Sequence, residues 1–155
     1  MRARSEATQE WVAERRPPCH DWFMEGRYKS GASTRHRILV HLVWLPKYRR
    51  RVLIGKVAIR LKRLLQEGCQ MNDWRIHEIA VEKDHIHMLL QINPKDSIAR
   101  VVNLLKGGTS RVIRAEYPEL QEFLWGDSLW ADGYFAETVG TTNETTMRKY
   151  IQNQS

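Results

Sequence analysis

Residues 81–92, V-E-K-D-H-I-H-M-L-L-Q-I, constrain the fold more than any other stretch of the chain. Successive side chains of a strand point to opposite faces, so residues two apart share one. Ile86, Met88, Leu90 and Ile92 therefore make an apolar face that can bury, and His85 and His87 project together from the other. The preceding run, residues 74–82 (W-R-I-H-E-I-A-V-E), also reads as a strand. Only Lys83-Asp84 separates the two, so they form a hairpin with a two-residue connection. Two imidazoles side by side on a strand stand at a spacing that one metal ion can bridge. Glu82 and Asp84 lie close enough in sequence to orient an imidazole, and Glu82 could itself touch a metal. The same pair is equally compatible with a solvated polar sheet face, so its meaning depends on what the rest of the chain brings to it.

Upstream, residues 36–45 (H-R-I-L-V-H-L-V-W-L) form the first strand. Ile38, Val40, Leu42 and Trp44 share one face, and Leu39, His41, Val43 and Leu45 the other. Both faces are largely apolar, which predicts a central strand. His41 is read as a core or sheet-packing histidine that would approach the pair if this strand neighbours theirs. Residues 46–51, P-K-Y-R-R-R, leave the strand with the densest cluster of cations in the chain. Lys47, Arg49, Arg50 and Arg51 can grip phosphates there, and Tyr48 can stack on a base. Residues 55–71 carry Val57, Leu61, Leu64, Leu65 and Gly68 at helical steps. A second helix, residues 98–116, follows Ser97 as N-cap. Gly107-Gly108 interrupts its apolar stripe, allowing close packing or a bend. Lys106, Arg111 and Arg114 lie around that interruption and are further candidates for DNA contact. Tyr117-Pro118 stops the helix. Residues 120–133 read as an irregular connection anchored by Trp125 and Trp130, and residues 134–139 as the fourth strand. Gly140 is a candidate hinge, and Asn143 caps a last helix over residues 144–154.

The order β-α-β-β-α-β plus a terminal helix predicts an α+β fold. It is a ferredoxin-like or RRM-like antiparallel sheet with helices on one face. The other face is expected to stay open and to carry His85 and His87. Residues 35–155 would make this domain, and residues 1–34 a basic, polar, mobile arm in which Trp11, Trp22 and Phe23 are out of character. The net charge of +7 suggests a polyanionic partner, most often nucleic acid. Two cysteines, Cys19 and Cys69, make no disulfide framework, which fits a reducing cytoplasm. No apolar run approaches membrane-spanning length, so no membrane partner is expected. No phosphate-binding Gly-Lys motif points to a nucleotide cofactor.

The last helix carries Tyr150 and Gln154 four residues apart, on one helix face. Docked on the open sheet face, it would bring an amide oxygen toward the histidines and a phenol one turn away. An amphipathic tail helix with a half-buried tyrosine would show the same spacing.

H-I-H-M-L-L with a late Y-I-Q-N-Q resembles the single-tyrosine transposases of the HUH endonuclease superfamily. These are the small TnpA proteins of insertion sequences and their REP-associated relatives. Supporting stretches are H-L-V-W-L-P-K-Y-R-R-R-V-L, E-K-D-H-I-H, L-K-G-G-T-S-R and L-W-A-D-G-Y-F-A-E-T-V-G. The similarity spans residues 36–154. It implies Mg²⁺ or Mn²⁺ held by His85, His87 and Gln154, with Glu82 a further candidate, and Tyr150 as nucleophile. It also implies a single-stranded DNA substrate marked by hairpins and a bacterial or archaeal, nucleoid-associated setting. The implied assembly is a homodimer whose tyrosine helix, swung about Gly140, can complete the partner's histidine site. The family often places Met-Pro before the hairpin Asp, where this chain has Glu82-Lys83.

The implied chemistry is metal-assisted transesterification through a 5′-phosphotyrosine, which conserves the phosphodiester energy. A phenol ionises in water only near pH 10, so its proton must be removed with help, and no residue stands out as that base. The alternatives are a replication-type or relaxase-like nickase, a domesticated relative acting on chromosomal repeats, and a catalytically silent nucleic-acid-binding module. A histidine-triad hydrolase is excluded, because its next alternate histidine would fall at Leu89.

Overall fold

The run with apolar side chains on both faces becomes a strand with a neighbour on each side. In the computed structural model, which describes residues 28–30, 34–126 and 128–154, β1 (Ile38–Trp44) pairs antiparallel with β3 (Ile86–Ile92) and with β4 (Phe135–Thr138). The remaining strand, β2 (Arg75–Val81), pairs with the outer edge of β3, giving the order β2-β3-β1-β4. The expected ferredoxin-like sheet is therefore the one observed. The chain divides after Arg35. A short ribbon of Lys29–Ser30 with Arg35–His36 lies at that division in the sequence. The expected arm otherwise lies outside the described residues, as do Trp11, Trp22, Phe23 and Cys19.

Two helices cover one face of the sheet. In α1 (Gly55–Met71) the buried residues Val57, Leu61, Leu65 and Cys69 recur every four positions and form a single stripe. In α2 (Ile98–Glu116) the stripe is Val101, Val102, Leu105, Thr109 and Ile113. The Ser97 hydroxyl caps α2 by accepting the Arg100 N–H at 3.2 Å. Both stripes pack on Leu42, Trp44, Met88, Leu90 and Ile92. Each fully buried aliphatic side chain there contributes about 1.5–3 kcal/mol. Helix α2 runs unbroken through Gly107-Gly108, and a Cβ at either glycine would meet open space. The glycine that does allow close packing is Gly68, where an added Cβ would lie 3.3 Å from the Leu105 side chain.

Strand β2 contains a bulge between Ile76 and Glu78. The bulge shifts the alternation by one residue, so Ile76 faces the main core ahead of it and Ile79 and Val81 do so after it. Between residues 118 and 133, Trp130 is buried and packs edge-on against Trp44 at 6.0 Å. Trp125, expected as a second anchor, is instead 73% exposed. Among the described residues no helix is long and apolar enough to cross a membrane.

The second sheet face is not open. Helix α3 (Glu144–Gln152) lies on it, with Ile151 fully buried against Leu39, Ala80, Leu89 and Val139. Polar contacts hold its flanks. Gln152 donates to Glu78 at 3.0 Å, and Arg148 donates to His77 Nδ1 at 2.5 Å. The far nitrogen of His77 meets Gln91 Oε1 at 2.8 Å. Glu144 pairs with Arg148 at 2.8 Å and also with Arg37. The helix ends two residues earlier than expected, so Gln154 sits in the turn beyond it, its N–H donated to the Ile151 carbonyl at 3.1 Å. Asn143 occupies the N-cap position, but its side chain makes no capping hydrogen bond.

Candidate functional site

The histidine pair lies where the β2–β3 hairpin turns. His87 sits inside β3 and is 6% exposed, while His85 is the residue just before the strand. The turn is closed by the Glu82 N–H, which donates to the His85 carbonyl at 2.9 Å. The two rings stand 4.8 Å apart and nearly perpendicular.

Each ring is held by its Nδ1. His85 Nδ1 donates to Asp84 Oδ1 at 2.6 Å, and Asp84 also accepts from Arg49 Nε at 3.1 Å. Those hydrogen bonds hold the Asp84 carboxyl below its ordinary range, the His85 contact being the largest cause. His87 Nδ1 meets His41 Nε2 at 3.0 Å, with the two rings 6° from parallel. Antiparallel register explains that contact. His41 pairs with Leu89 and Val43 with His87, so His41 and His87 are diagonal neighbours on one face. Burial, followed by the charges of His85 and His41, pushes the His87 imidazole down to about 4. It is therefore neutral at physiological pH, the state in which an imidazole can ligate a metal.

Tyr150 reaches the same place from the far end of the chain. Its ring lies 5.6 Å from His87 and 6.5 Å from His41, edge-on to both, and 49% of the residue is exposed. The burial of the next residue, Ile151, fixes that position. The structure thus brings His85, His87 and Tyr150 of one chain together, and adds His41, read from the sequence as a core or sheet-packing histidine that would approach the pair if the strands were neighbours, as they are. The ferredoxin-like order was the available signal, because it sets the first strand beside the third. Gln154 is at the C-terminal end of the same helix, in the turn. Glu82 forms no trio with the histidines: among the described residues no three His, Cys, Asp or Glu side chains are grouped to hold a metal. The side chains with ligating atoms that the structure sets side by side here are thus the two imidazoles of His85 and His87. Gly140 lies between β4 and α3, exposed, and a Cβ there would meet open space.

The predicted DNA-contacting residues fall into two groups. Lys47 to Arg51 lie beside the site, linked to it through the Arg49–Asp84 pair. Tyr48 and Arg49 adopt positive φ angles of 58° and 50°, and Tyr48 is 62% exposed. Lys47 donates to the Trp125 carbonyl at 2.6 Å. Arg50 and Arg51 are exposed. The second group, Lys106, Arg111 and Arg114, lines a groove of about 610 Å³ on the helical side of the sheet, away from the histidines. Lys106 is committed to structure there, donating to the Ala131 and Gly133 carbonyls at 2.8 Å each. Arg114 donates to the Gly126 carbonyl at 3.2 Å.

The model of the family described as "Transposase IS200 like" matches residues 34–154. The ISDra2 transposase TnpA of Deinococcus radiodurans is 36% identical over 126 residues, 81% of this chain and 90% of that protein. The transposase for insertion sequence element IS200 of Salmonella typhimurium is 35% identical over 129 residues, covering 83% and 84% of the two chains. Among solved structures, a candidate transposase of Deinococcus radiodurans R1 superposes with a TM-score of 0.68 at 32% identity, over 81% of this chain and 97% of that one. A REP-associated tyrosine transposase bound to a REP hairpin superposes at 0.58 and 12% identity, over 79% and 70%, a likeness of fold.

Proposed function

The chain belongs to the IS200-like transposase family, and on that premise we propose that it cleaves and rejoins single-stranded DNA at hairpin-marked ends through a 5′-phosphotyrosine at Tyr150. The observation that carries this reading is the approach of Tyr150 to within 5.6 Å of the His87 ring, beside His85. A hairpin substrate is further supported by the REP hairpin carried by the structural neighbour.

The residues present fit a divalent cation. Each histidine engages its Nδ1 in a hydrogen bond, which leaves Nε2 as the ligating atom, and His87 is neutral. His85 and His87 would hold Mg²⁺ or Mn²⁺, with the Gln154 oxygen as third ligand and Glu82 outside the set. Bound there, the ion would supply Lewis acidity to the oxygens of the scissile phosphate. Tyr150 Oη attacks phosphorus, the bond from phosphorus to the 3′ oxygen breaks, and the 3′-hydroxyl leaves with the proton. The product carries its 5′ phosphate on the tyrosine. Attack by a different 3′-hydroxyl reverses the step, rejoins DNA and restores the phenol. Arg50 and Arg51, exposed beside the site, would neutralise backbone phosphates, and the exposed Tyr48 ring would stack on a base. Arg111 and Arg114 would serve a second stretch of DNA in the helical groove. The reading includes a homodimer in which α3, on its short linker through Gly140, can serve its own histidine pair or the partner's.

The test is incubation with labelled single-stranded hairpin DNA and Mg²⁺ or Mn²⁺, followed by denaturing electrophoresis. A detergent-resistant adduct is expected, and Tyr150→Phe should abolish it. An undiminished adduct in that variant would remove Tyr150 from the mechanism. Tight binding with no adduct on any DNA would indicate a silent binding module.

A further inference from the structure

We propose that His41 is a positioning residue for the metal site, holding His87 in the ring orientation and tautomer that present Nε2 to the ion. The inference rests on the metal reading above and adds a residue to it.

An imidazole that ligates through Nε2 must carry its proton on Nδ1, and that proton needs an acceptor. For His85 the acceptor is the Asp84 carboxylate, 2.6 Å away. For His87, flanked on the neighbouring strands by Val43 and Ala80, neither direct partner offers a polar side chain. The diagonal position holds His41, 4% exposed, with Nε2 3.0 Å from His87 Nδ1. The two rings lie within 6° of parallel, so the contact runs in the plane of both imidazoles. An acceptor on Nε2 requires His41 to carry its own proton on Nδ1. Burial lowers the His41 imidazole and the charge of Glu137, opposite it on β4, acts the other way, while His41 Nδ1 has no hydrogen-bond partner among the described residues. His41 Nε2 thus stands to His87 Nδ1 as Asp84 Oδ1 stands to His85 Nδ1. Without His41, the His87 Nδ1–H would be buried with no acceptor, and a ring flip would bring the wrong nitrogen outward.

Two measurements on the DNA-free protein test this. Long-range ¹H–¹⁵N correlation spectra of the metal-free wild type should show both His87 and His41 protonated at Nδ1. A proton on His87 Nε2 overturns the proposal. In calorimetric titration with Mn²⁺, His41→Leu should bind about 10- to 100-fold more weakly than wild type. His41→Gln, whose Oε1 can accept the same N–H, should recover most of that loss. Equal affinity of His41→Leu and wild type overturns the role of His41 alone. Wild-type affinity that is unchanged by His87→Ala overturns the metal reading, and this proposal with it. Should His41→Leu fail to fold, the wild-type tautomers and His41→Gln decide.

Discussion

Replacing Ile151 with alanine isolates the contact that puts Tyr150 beside the histidines. Ile151 is the one buried residue of α3, and it contacts Leu39, Ala80, Leu89 and Val139 rather than the main core. A nine-residue helix is not stable by itself in water, so the order of α3 depends on docking. Truncating a buried isoleucine to alanine costs about 2–5 kcal/mol in a well-packed core. This cluster is small and sits under a single helix, which argues for the lower part of that range, about 2–3 kcal/mol. At 1.4 kcal/mol per factor of ten, the undocked population should rise roughly 30- to 150-fold. The polar contacts of Arg148, Glu144 and Gln152 remain in the variant, so α3 loosens without the sheet unfolding. Hydrogen exchange resolved by residue reads this directly. Amides of residues 148–152 should exchange faster by that factor, while those of α1 and α2 keep their protection. Adduct formation should slow as the undocked form gains weight. Unchanged exchange in α3, or an equal loss of protection in α1, would refute the reasoning.

Acidification should destabilise the chain before its carboxylates titrate. Burial holds His41, His77 and His87 below the ordinary 6.5, His87 at about 4. The unfolded chain therefore binds more protons as pH falls from about 6.5 toward 4, and stability falls across that window. His87 alone accounts for up to about 3 kcal/mol of this loss. Urea midpoints at pH 7, 5.5 and 4.5 should decline in that order, and a midpoint that is flat or rising on acidification contradicts the assignment. Lys106→Met should cost about 1–3 kcal/mol of stability, because the Ala131 and Gly133 carbonyls lose their donor. A DNA-affinity defect at unchanged stability would return Lys106 to the binding surface. Arg51→Ala should leave the urea midpoint unchanged and reduce the salt dependence of single-strand binding by about 0.7 in log–log slope. An unchanged slope would place Arg51 outside the DNA path.

The strand and helix order was legible because each element carries its own periodicity. Alternation marked Ile86 to Ile92, and four-residue steps marked Val57 to Cys69. Features that depend on register or docking were not legible. The bulge in β2 appears in the sequence only as the step from Ile76 to Ile79, which strict alternation would not allow. The glycine doublet at 107–108 drew attention by composition, yet the close helix contact is at Gly68, because which glycine faces a neighbour depends on the helix crossing. The covered second face follows from Ile151 with Met147 one turn before it, a short apolar pair in a helix otherwise largely polar that gives little signal in one dimension. His41 looked like a core histidine because its strand neighbours are apolar. Its contact with His87 needs the diagonal register of two strands far apart in sequence. The short end of α3 left Gln154 in a turn, a boundary that helical spacing alone does not fix.

The central claim is that Tyr150 carries the DNA during strand transfer. Trypsin cleaves after Lys149, so Tyr150 begins a new peptide that opens Y-I-Q-N-Q-S. Single-stranded hairpin DNA should be reacted with the protein and Mn²⁺, digested with nuclease and trypsin, and the peptides sequenced by mass spectrometry. A 5′-linked nucleotide on Tyr150 is the predicted result. A nucleotide on Tyr48 or Tyr134 instead, or DNA cleavage that persists in Tyr150→Phe with no linked peptide, would contradict it.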